Sequence, residues 1–572
     1  MSNESPNQLQ LIQALPEPLQ DVAQSLIQSG MGTMLVGLLL LAGAMHLFSS
    51  KRGKLSTGRF AGRPETWAAQ AMAKKQRKQQ RPHQVALKAG NLAIPNAQQS
   101  LAVAGAPDSG KTFSIIDPAI RAAIAQGFAL VVYDFKGSQL EAHAAWAASQ
   151  GYQVSILAPG QPYSDVCNPL DFLADETDSL MAAQLAQVLQ KNTQRGGAYR
   201  DNDFFTSAGT NLVEAVMLLA KLTPYPDLLM ASKILNLSEL PARIRAAGDA
   251  GLIPPWTLES FSQLMASDGA EKQIAGIIAT AQRTFKTFTG KQLFSSFCGK
   301  TTIPLKFEGK QLLFLQVDIQ KRDAVSPLLA AALHLVVSHN FAHPRETPLV
   351  IALDELPTLY LPDLPKWINE FRSYGFVGLL GYQNFAQLQH IYGRDLSRAL
   401  FAACGTKVFF NPKDRETAQE FSSYLGEKDV KFYAHSRGRG GYNRSEQFQR
   451  VPLLTPDQIL KLDQGECILI NSAYKGSGEA SVPLRTKVKI PRQEIRTQQR
   501  SVALWHGQVR DRLIQRATQR QPAADLNHEN EVRQEIAERL FPLPLNQGGA
   551  DSGHDQNFDA DITEDEYDEI FR

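Results

Sequence analysis

The sequence predicts an α/β protein: a parallel sheet covered by helices on both faces and interrupted once by an all-α insertion. Three observations carry this. Short apolar runs of five to seven residues alternate with helical patterns, as strands buried on both faces do. A glycine-rich turn, GAPDSGKT at 105–112, stands between the first such run and a helical pattern. A later apolar run, LVIAL at 349–353, ends in Asp354 and Glu355.

Taken in order, residues 1–29 contain Glu4, Glu17 and Asp21 but no Lys or Arg. That is no n-region of a cleaved signal peptide, and it reads as a short non-cytoplasmic N-terminus. Residues 30–48 carry no formal charge and are rich in Leu. At about 1.5 Å per residue such a helix covers roughly the 30 Å hydrocarbon core, so a transmembrane helix is expected. Lys51, Arg52, Lys54, Arg59 and Arg63 follow, and the positive-inside rule keeps this flank and the bulk of the chain cytoplasmic. Within this basic juxtamembrane segment, 49–94, the cluster Lys74, Lys75, Arg77, Lys78 and Arg81 suits anionic lipid headgroups and a phosphate backbone equally well.

Runs at 100–104, 129–133 and 152–157 predict the first strands, within a core domain at 95–167. From 168 to 303 the pattern turns helical, as at 204–222 and 271–288, predicting an all-α domain. Runs at 312–317, 349–353, 375–381, 407–411 and 467–471 then complete the sheet within 304–490. Residues 491–550 are Gln- and Arg-rich, with Arg510, Arg512, Arg516 and Arg520 at roughly helical spacing, which predicts a solvated polar helix and linker. The end, 551–572, holds nine acids and one Arg and reads as an acidic disordered tail.

Near-neutrality conceals this layout. The chain has 59 Lys and Arg against 57 Asp and Glu, because a basic block at 51–90, with eleven cations and one acid, offsets the acidic tail. Between the blocks, 43% hydrophobic and 8% aromatic composition over the whole chain excludes a disordered or collagen-like protein. Cys167, Cys298, Cys404 and Cys467 are too scattered for a disulfide framework or a cysteine metal site and read as reduced, buried thiols.

The turn Gly105, Ala106, Pro107, Asp108, Ser109, Gly110, Lys111, Thr112 matches the P-loop pattern in its required place. Its backbone N–H groups and the helix start would face the phosphates of ATP, Lys111 would reach the β- and γ-phosphates, and the Thr112 hydroxyl would ligate Mg2+. Asp354 would hold the magnesium through water, and Glu355 would orient or deprotonate the attacking water. Gln383 closes the run VGLLGYQ, from where its amide could sense the γ-phosphate. Arg372, between those two strands, is a candidate for neutralising charge on a neighbouring subunit's nucleotide. Asp134 and Lys136, in YDFKGS, fall where open α/β sheets bind ligands, and a simple strand-ending turn fits them as well.

With these residues in hand, the chain from about 95 to 490 resembles the TraG/TraD coupling proteins of type IV secretion and conjugation. The resemblance rests on GAPDSGKT, ALDE, YDFKGS, DNDFFTSAGTNLVEA, FRSYGF, GYQNFAQLQHIYG and RETAQEFSSYLG, in the family's order. It implies a RecA-like P-loop NTPase domain with an inserted all-α domain. It also implies a hexameric ATPase in the bacterial inner membrane that moves single-stranded DNA, with its attached relaxase, to the secretion channel. Phe135 and Ser138 depart from the family's Asp-Pro-Lys-Gly-Glu segment, and one predicted span stands where many members have two. The acidic tail is similar to tails that bind relaxosome proteins in some members. Two rivals remain at this stage: a coupling ATPase for protein effectors without DNA, and a membrane-tethered adaptor switched by nucleotide.

Overall fold

The computed structural model describes residues 58–193, 204–267, 269–286, 290–438, 441–476, 479, 481–520 and 525–544. The predicted N-terminus 1–29, the predicted span 30–48 and the acidic tail 551–572 lie outside them. Among the described residues, no helix is long and apolar enough to cross a membrane.

The strands, in chain order, begin with a short antiparallel pair, β1 Leu87–Ala89 and β2 Leu92–Ile94. They continue as β3 Leu101–Ala104, β4 Ala129–Asp134, β5 Gln153–Leu157, β6 Gln311–Gln316, β7 Leu349–Leu353, β8 Phe376–Tyr382 and β9 Thr406–Phe409. The last four are β10 Glu427–Gly438, β11 Gly441–Pro452, β12 Glu466–Ile470 and β13 Leu484–Lys487. The chain divides into two compact units: Phe60–Tyr424 with Thr455–Arg572, and Met1–Arg59 with Leu425–Leu454.

The first unit is organised by a nine-stranded sheet in the order β13-β12-β9-β3-β8-β7-β4-β6-β5. From β9 to β5 all neighbours are parallel. Strands β3, β4, β7 and β8 are buried at every residue, which is why they read as unbroken apolar runs rather than alternating ones. Parallel neighbours end at one edge. Register pairs Ala104 with Tyr382, and Leu353 with Leu380, so the segments after β3, β7 and β8 emerge side by side.

The expected parallel sheet needs one correction. Strand β12 runs antiparallel to β9 and to β13, so the sheet is mixed at this edge. An apolar run gives a strand's burial but not its direction, and the four-residue β13 has no fully buried residue to announce it.

Between Asn168 and Ile303 every regular element among the described residues is a helix. This region is fastened to the sheet side, where Asn192 exchanges hydrogen bonds with the Tyr360 backbone at 2.8 and 3.0 Å. Part of the basic segment is also ordered: helix Arg63–Gln79 buries Ala69 and Ala73 and bonds Gln76 to Asn96 at 2.6 and 3.0 Å.

The stretch after 491 is helical and largely exposed among its described residues, as expected, but it is also pinned to the body at a few points. Helix Arg492–Leu504 lies along helix Ser138–Ser149, with the Ser501 hydroxyl bonded to Trp146 N and Glu141 O, both at 3.2 Å. In helix Arg510–Arg520, Arg516 and Arg520 each reach buried Asp165 at 2.9 Å. Helix Leu526–Leu540 inserts Arg533 against Asp227 at 2.7 Å, both almost wholly buried. Charge at helical spacing reads as a wet face unless its acidic partners, here Asp165 and Asp227, are known.

In the second unit, β10 and β11 form a two-stranded ribbon of twelve paired positions. Its base is bonded from Gly58 N to Glu427 O at 3.1 Å, and a Cβ on Gly58 would lie 2.1 Å from that oxygen.

Candidate nucleotide site

The chain leaves β3 in the glycine turn. A Cβ on Gly105 would stand 2.5 Å from Ser109 Oγ and 2.7 Å from Phe410 Cβ, so only glycine fits. Gly110 takes φ +98°, in the left-handed region glycine accepts at little cost. Backbone bonds fix the turn from outside: Gly105 N donates to Tyr382 O (3.1 Å), Ala106 N to Asn411 O (3.0 Å) and Gly465 N to Ser109 O (2.9 Å). A wide turn, Thr112–Ile116, then leads into helix Asp117–Ala125. A glycine turn entering a helix is where backbone N–H groups collect for an anion.

Asp354 and Glu355 leave β7 beside this turn. The Lys111 ammonium, 6% exposed, donates to Asp354 O at 3.0 Å and lies 3.5 Å from Asp354 Oδ1 and 3.8 Å from Glu355 Oε1. Thr112 Oγ1 donates to Asp354 Oδ2 at 2.5 Å. Residues 243 positions apart are thus brought within hydrogen-bond reach. Glu355 is held from two further sides, since Gln383 Nε2 donates to its Oε2 at 3.4 Å and the Lys136 ammonium lies 3.9 Å from its Oε1.

This arrangement fits a nucleotide with magnesium. Thr112 and Asp354 offer hard oxygen ligands. Ser109 Oγ and Asp354 Oδ1 are buried with no hydrogen-bond partner among the described residues, capacity that proteins rarely leave unspent.

Asp134 takes the other of its two sequence readings. Its carboxylate accepts from the backbone N–H groups of Gly137 (2.8 Å), Leu140 (2.7 Å) and Lys136 (3.3 Å), so it builds the turn into helix Ser138–Ser149. Burial pushes its carboxyl up to about 6, against the pull of those three bonds. Lys136, in the same turn, faces Glu355 instead. Arg372 is not brought to the site: it is exposed in the turn before β8, at the opposite end of that strand from Gln383.

Sequence reasoning missed Gly381. A Cβ there would sit 2.3 Å from Asp354 O and 2.7 Å from Asp354 Oδ1, so this glycine lets β8 press against the carboxylate. Glycines inside an apolar strand, here Gly378 and Gly381, were the available signal. It also missed the outer braces: Asn411, Gly465 and Lys413, whose Nζ donates to Pro107 O at 3.3 Å. They come from sequence-distant loops, and their sequence gives no sign of it.

The chain is similar to known proteins in sequence and in fold. Residues 87–474 match the family described as "Type IV secretion-system coupling protein DNA-binding domain". Coupling protein TraD of Escherichia coli (strain K12) is 25% identical over 187 residues, 31% of this chain and 26% of that protein. The type IV secretion system-coupling protein VirD4 of Bartonella henselae is 22% identical over 343 residues, 56% of this chain and 53% of that protein. The chain therefore spans about a quarter to about half the length of these relatives. Among solved structures, the bacterial conjugative coupling protein TrwBdeltaN70 superposes with a TM-score of 0.55 at 17% identity, covering 73% of this chain and 91% of that one. TrwB in complex with ADP and Mg2+ gives 0.55 at 17%, covering 76% and 95%, and shares the fold. With the match running from β1 to the loop after β12, over more than half of the chain, the chain belongs to the type IV secretion-system coupling protein family.

Proposed function

We propose that this protein is the coupling ATPase of a type IV secretion or conjugation system. It hydrolyses ATP to recruit single-stranded DNA, with its attached relaxase, and to drive it toward the membrane channel. The convergence of Lys111, Thr112, Asp354 and Glu355 on one edge of the sheet carries this reading.

In it, Gly105, Ala106, Pro107, Asp108, Ser109 and Gly110 cradle the phosphates with backbone groups, and Lys111 pairs with the β- and γ-phosphates. Thr112 and Asp354 would hold magnesium. The metal, when bound, supplies charge neutralisation on the phosphates. Glu355 accepts the proton of the attacking water, kept in position by Gln383 and Lys136. Arg372, standing away from its own site, is offered to the nucleotide of a neighbouring subunit in a homo-hexamer. Residues 168–303 form the inserted all-α domain of a RecA-like motor, 30–48 the single span in the inner membrane, and 551–572 a docking tail for relaxosome proteins. The family's DNA-binding description and the TrwB complex with ADP and Mg2+ support this reading.

The test is phosphate release by the full-length protein in detergent, with and without single-stranded DNA. Stimulation at low salt is expected, because the shared feature of the cargo is its phosphate backbone. No stimulation sinks the DNA reading in favour of effector delivery. Glu355→Gln should bind ATP without turning it over and abolish transfer; intact transfer would favour a nucleotide-switched adaptor.

A further inference from the structure

The β10–β11 ribbon has no role in the nucleotide site, and its construction is unusual. Its strands are twelve residues long, about twice the common length, and a lone two-stranded ribbon is at best marginally stable in water. It keeps large rings in solvent: Phe432 is 46% exposed, Tyr433 42% and Phe448 37%. Residues 427–452 also hold six Lys and Arg against three acids.

Register sorts these groups onto two faces. Lys431 pairs across the ribbon with Phe448, its ammonium 5.3 Å from the ring centre, and Asp429 pairs with Arg450. Tyr433 lies two residues from Lys431 and so shares that face, diagonal to Phe448. Phe432 is on the other face, opposite Gln447. Each face thus offers an exposed ring, and cations flank the rings along the strands.

We propose that this ribbon is a binding site for single-stranded nucleic acid, with bases stacking on Phe448, Tyr433 and Phe432 and phosphates drawn to Lys431 and Arg450. Interleaved rings and cations are what sequence-independent single-strand binding requires: every base has a π-face, and every nucleotide has a charge. The distribution of rings decides against a lipid surface. A segment lying in a membrane interface gathers its apolar groups on one face and its charges on the other, whereas here both faces carry rings, and the Tyr433–Phe448 face carries the cations as well. The inference rests on the proposed DNA-moving function and names a surface for that cargo.

The test uses full-length protein in detergent and a fluorescent oligothymidylate, read by anisotropy across a salt series. Vesicles with and without anionic phospholipid are measured in parallel. Phe432→Ala with Phe448→Ala should weaken oligonucleotide binding by about tenfold per ring, while Phe432→Tyr with Phe448→Tyr should retain it. Lys431→Gln with Arg450→Gln should reduce the slope of log affinity against log salt by about 1.4. ATP turnover without DNA should stay at the wild-type rate in all three pairs and reports that they are folded. If the alanine pair fails that control, the charge pair decides. Wild-type binding with unchanged affinity and slope in the variants overturns the ribbon as the site. Loss of anionic-vesicle binding with oligonucleotide binding intact overturns it in favour of lipid. Failure of the wild-type protein to bind oligonucleotide at all refutes the DNA function itself, and the ribbon site with it.

Discussion

Lys111 and Arg533 are both buried cations facing two carboxylates, yet they are wired differently. Around Lys111 the side-chain contacts to Asp354 and Glu355 are 3.5 and 3.8 Å, and Asp354 Oδ1 and Ser109 Oγ keep unspent hydrogen-bonding capacity. Around Arg533, Asp227 accepts at 2.7 and 3.1 Å, Glu529 Oε2 at 2.7 Å and Glu529 O at 2.9 Å. Its guanidinium also lies 4.5 Å from the Tyr225 ring centre and 5.1 Å from that of Phe294. A cluster that satisfies itself holds the protein together. One that leaves acceptors and donors buried and unmatched has capacity for a ligand.

The contrast is broken most severely at Arg533. Arg533→Ala strands Asp227 without its countercharge and should cost about 3–5 kcal/mol, measured by urea unfolding. Replacing both, as Asp227→Leu with Arg533→Met, should recover much of that loss; equal destabilisation by the pair would remove the structural reading. Lys111→Ala should do the reverse, lowering phosphate release by about 10²–10³-fold, the scale of losing one charge-stabilising donor, while the melting temperature holds. Normal turnover in that variant would refute the site assignment. Gly381→Ala tests the packing behind the carboxylate. Its methyl must displace Asp354 and should cost about 1–3 kcal/mol, read as weaker magnesium-dependent nucleotide binding.

The smallest effect concerns Asp134, a carboxyl raised to about 6 from an ordinary 3.8. A raised acid contributes stability that is complete below about pH 4 and is lost as pH rises through about 6. Wild-type stability should therefore carry a downward slope over that window of at most about 1.4 kcal/mol per pH unit. Asp134→Asn should flatten it; an unchanged slope would place the titration elsewhere.

Legibility in the sequence followed burial. The eight runs expected to be strands all fall on β3 to β9 and β12, within a residue or two at their ends, because strands buried on both faces show as uninterrupted apolar runs. The ribbon was missed for the converse reason. Neither of its faces is covered along the positions around Phe432 and Phe448, so no alternation of apolar and polar residues marks it. The buried thiols were legible too: Cys167, Cys298, Cys404 and Cys467 are all enclosed, and none is joined in a disulfide.

By itself the sequence determined the glycine turn at 105–112 and the place of the carboxylates after β7, since glycines at fixed spacing, a Lys-Thr ending and an apolar run are local demands of backbone geometry. It also determined the helical character of the described residues between 168 and 303. Only the tertiary structure decided which way β12 runs, that Lys136 turns to Glu355 while Asp134 turns to the backbone, that Gly381 makes room for Asp354, and that Arg516, Arg520 and Arg533 reach buried acids. Each of those depends on a partner far away in the chain. Periodicity reports how deeply a residue is buried, whereas charge and hydrogen-bond pairing depend on what it is buried against.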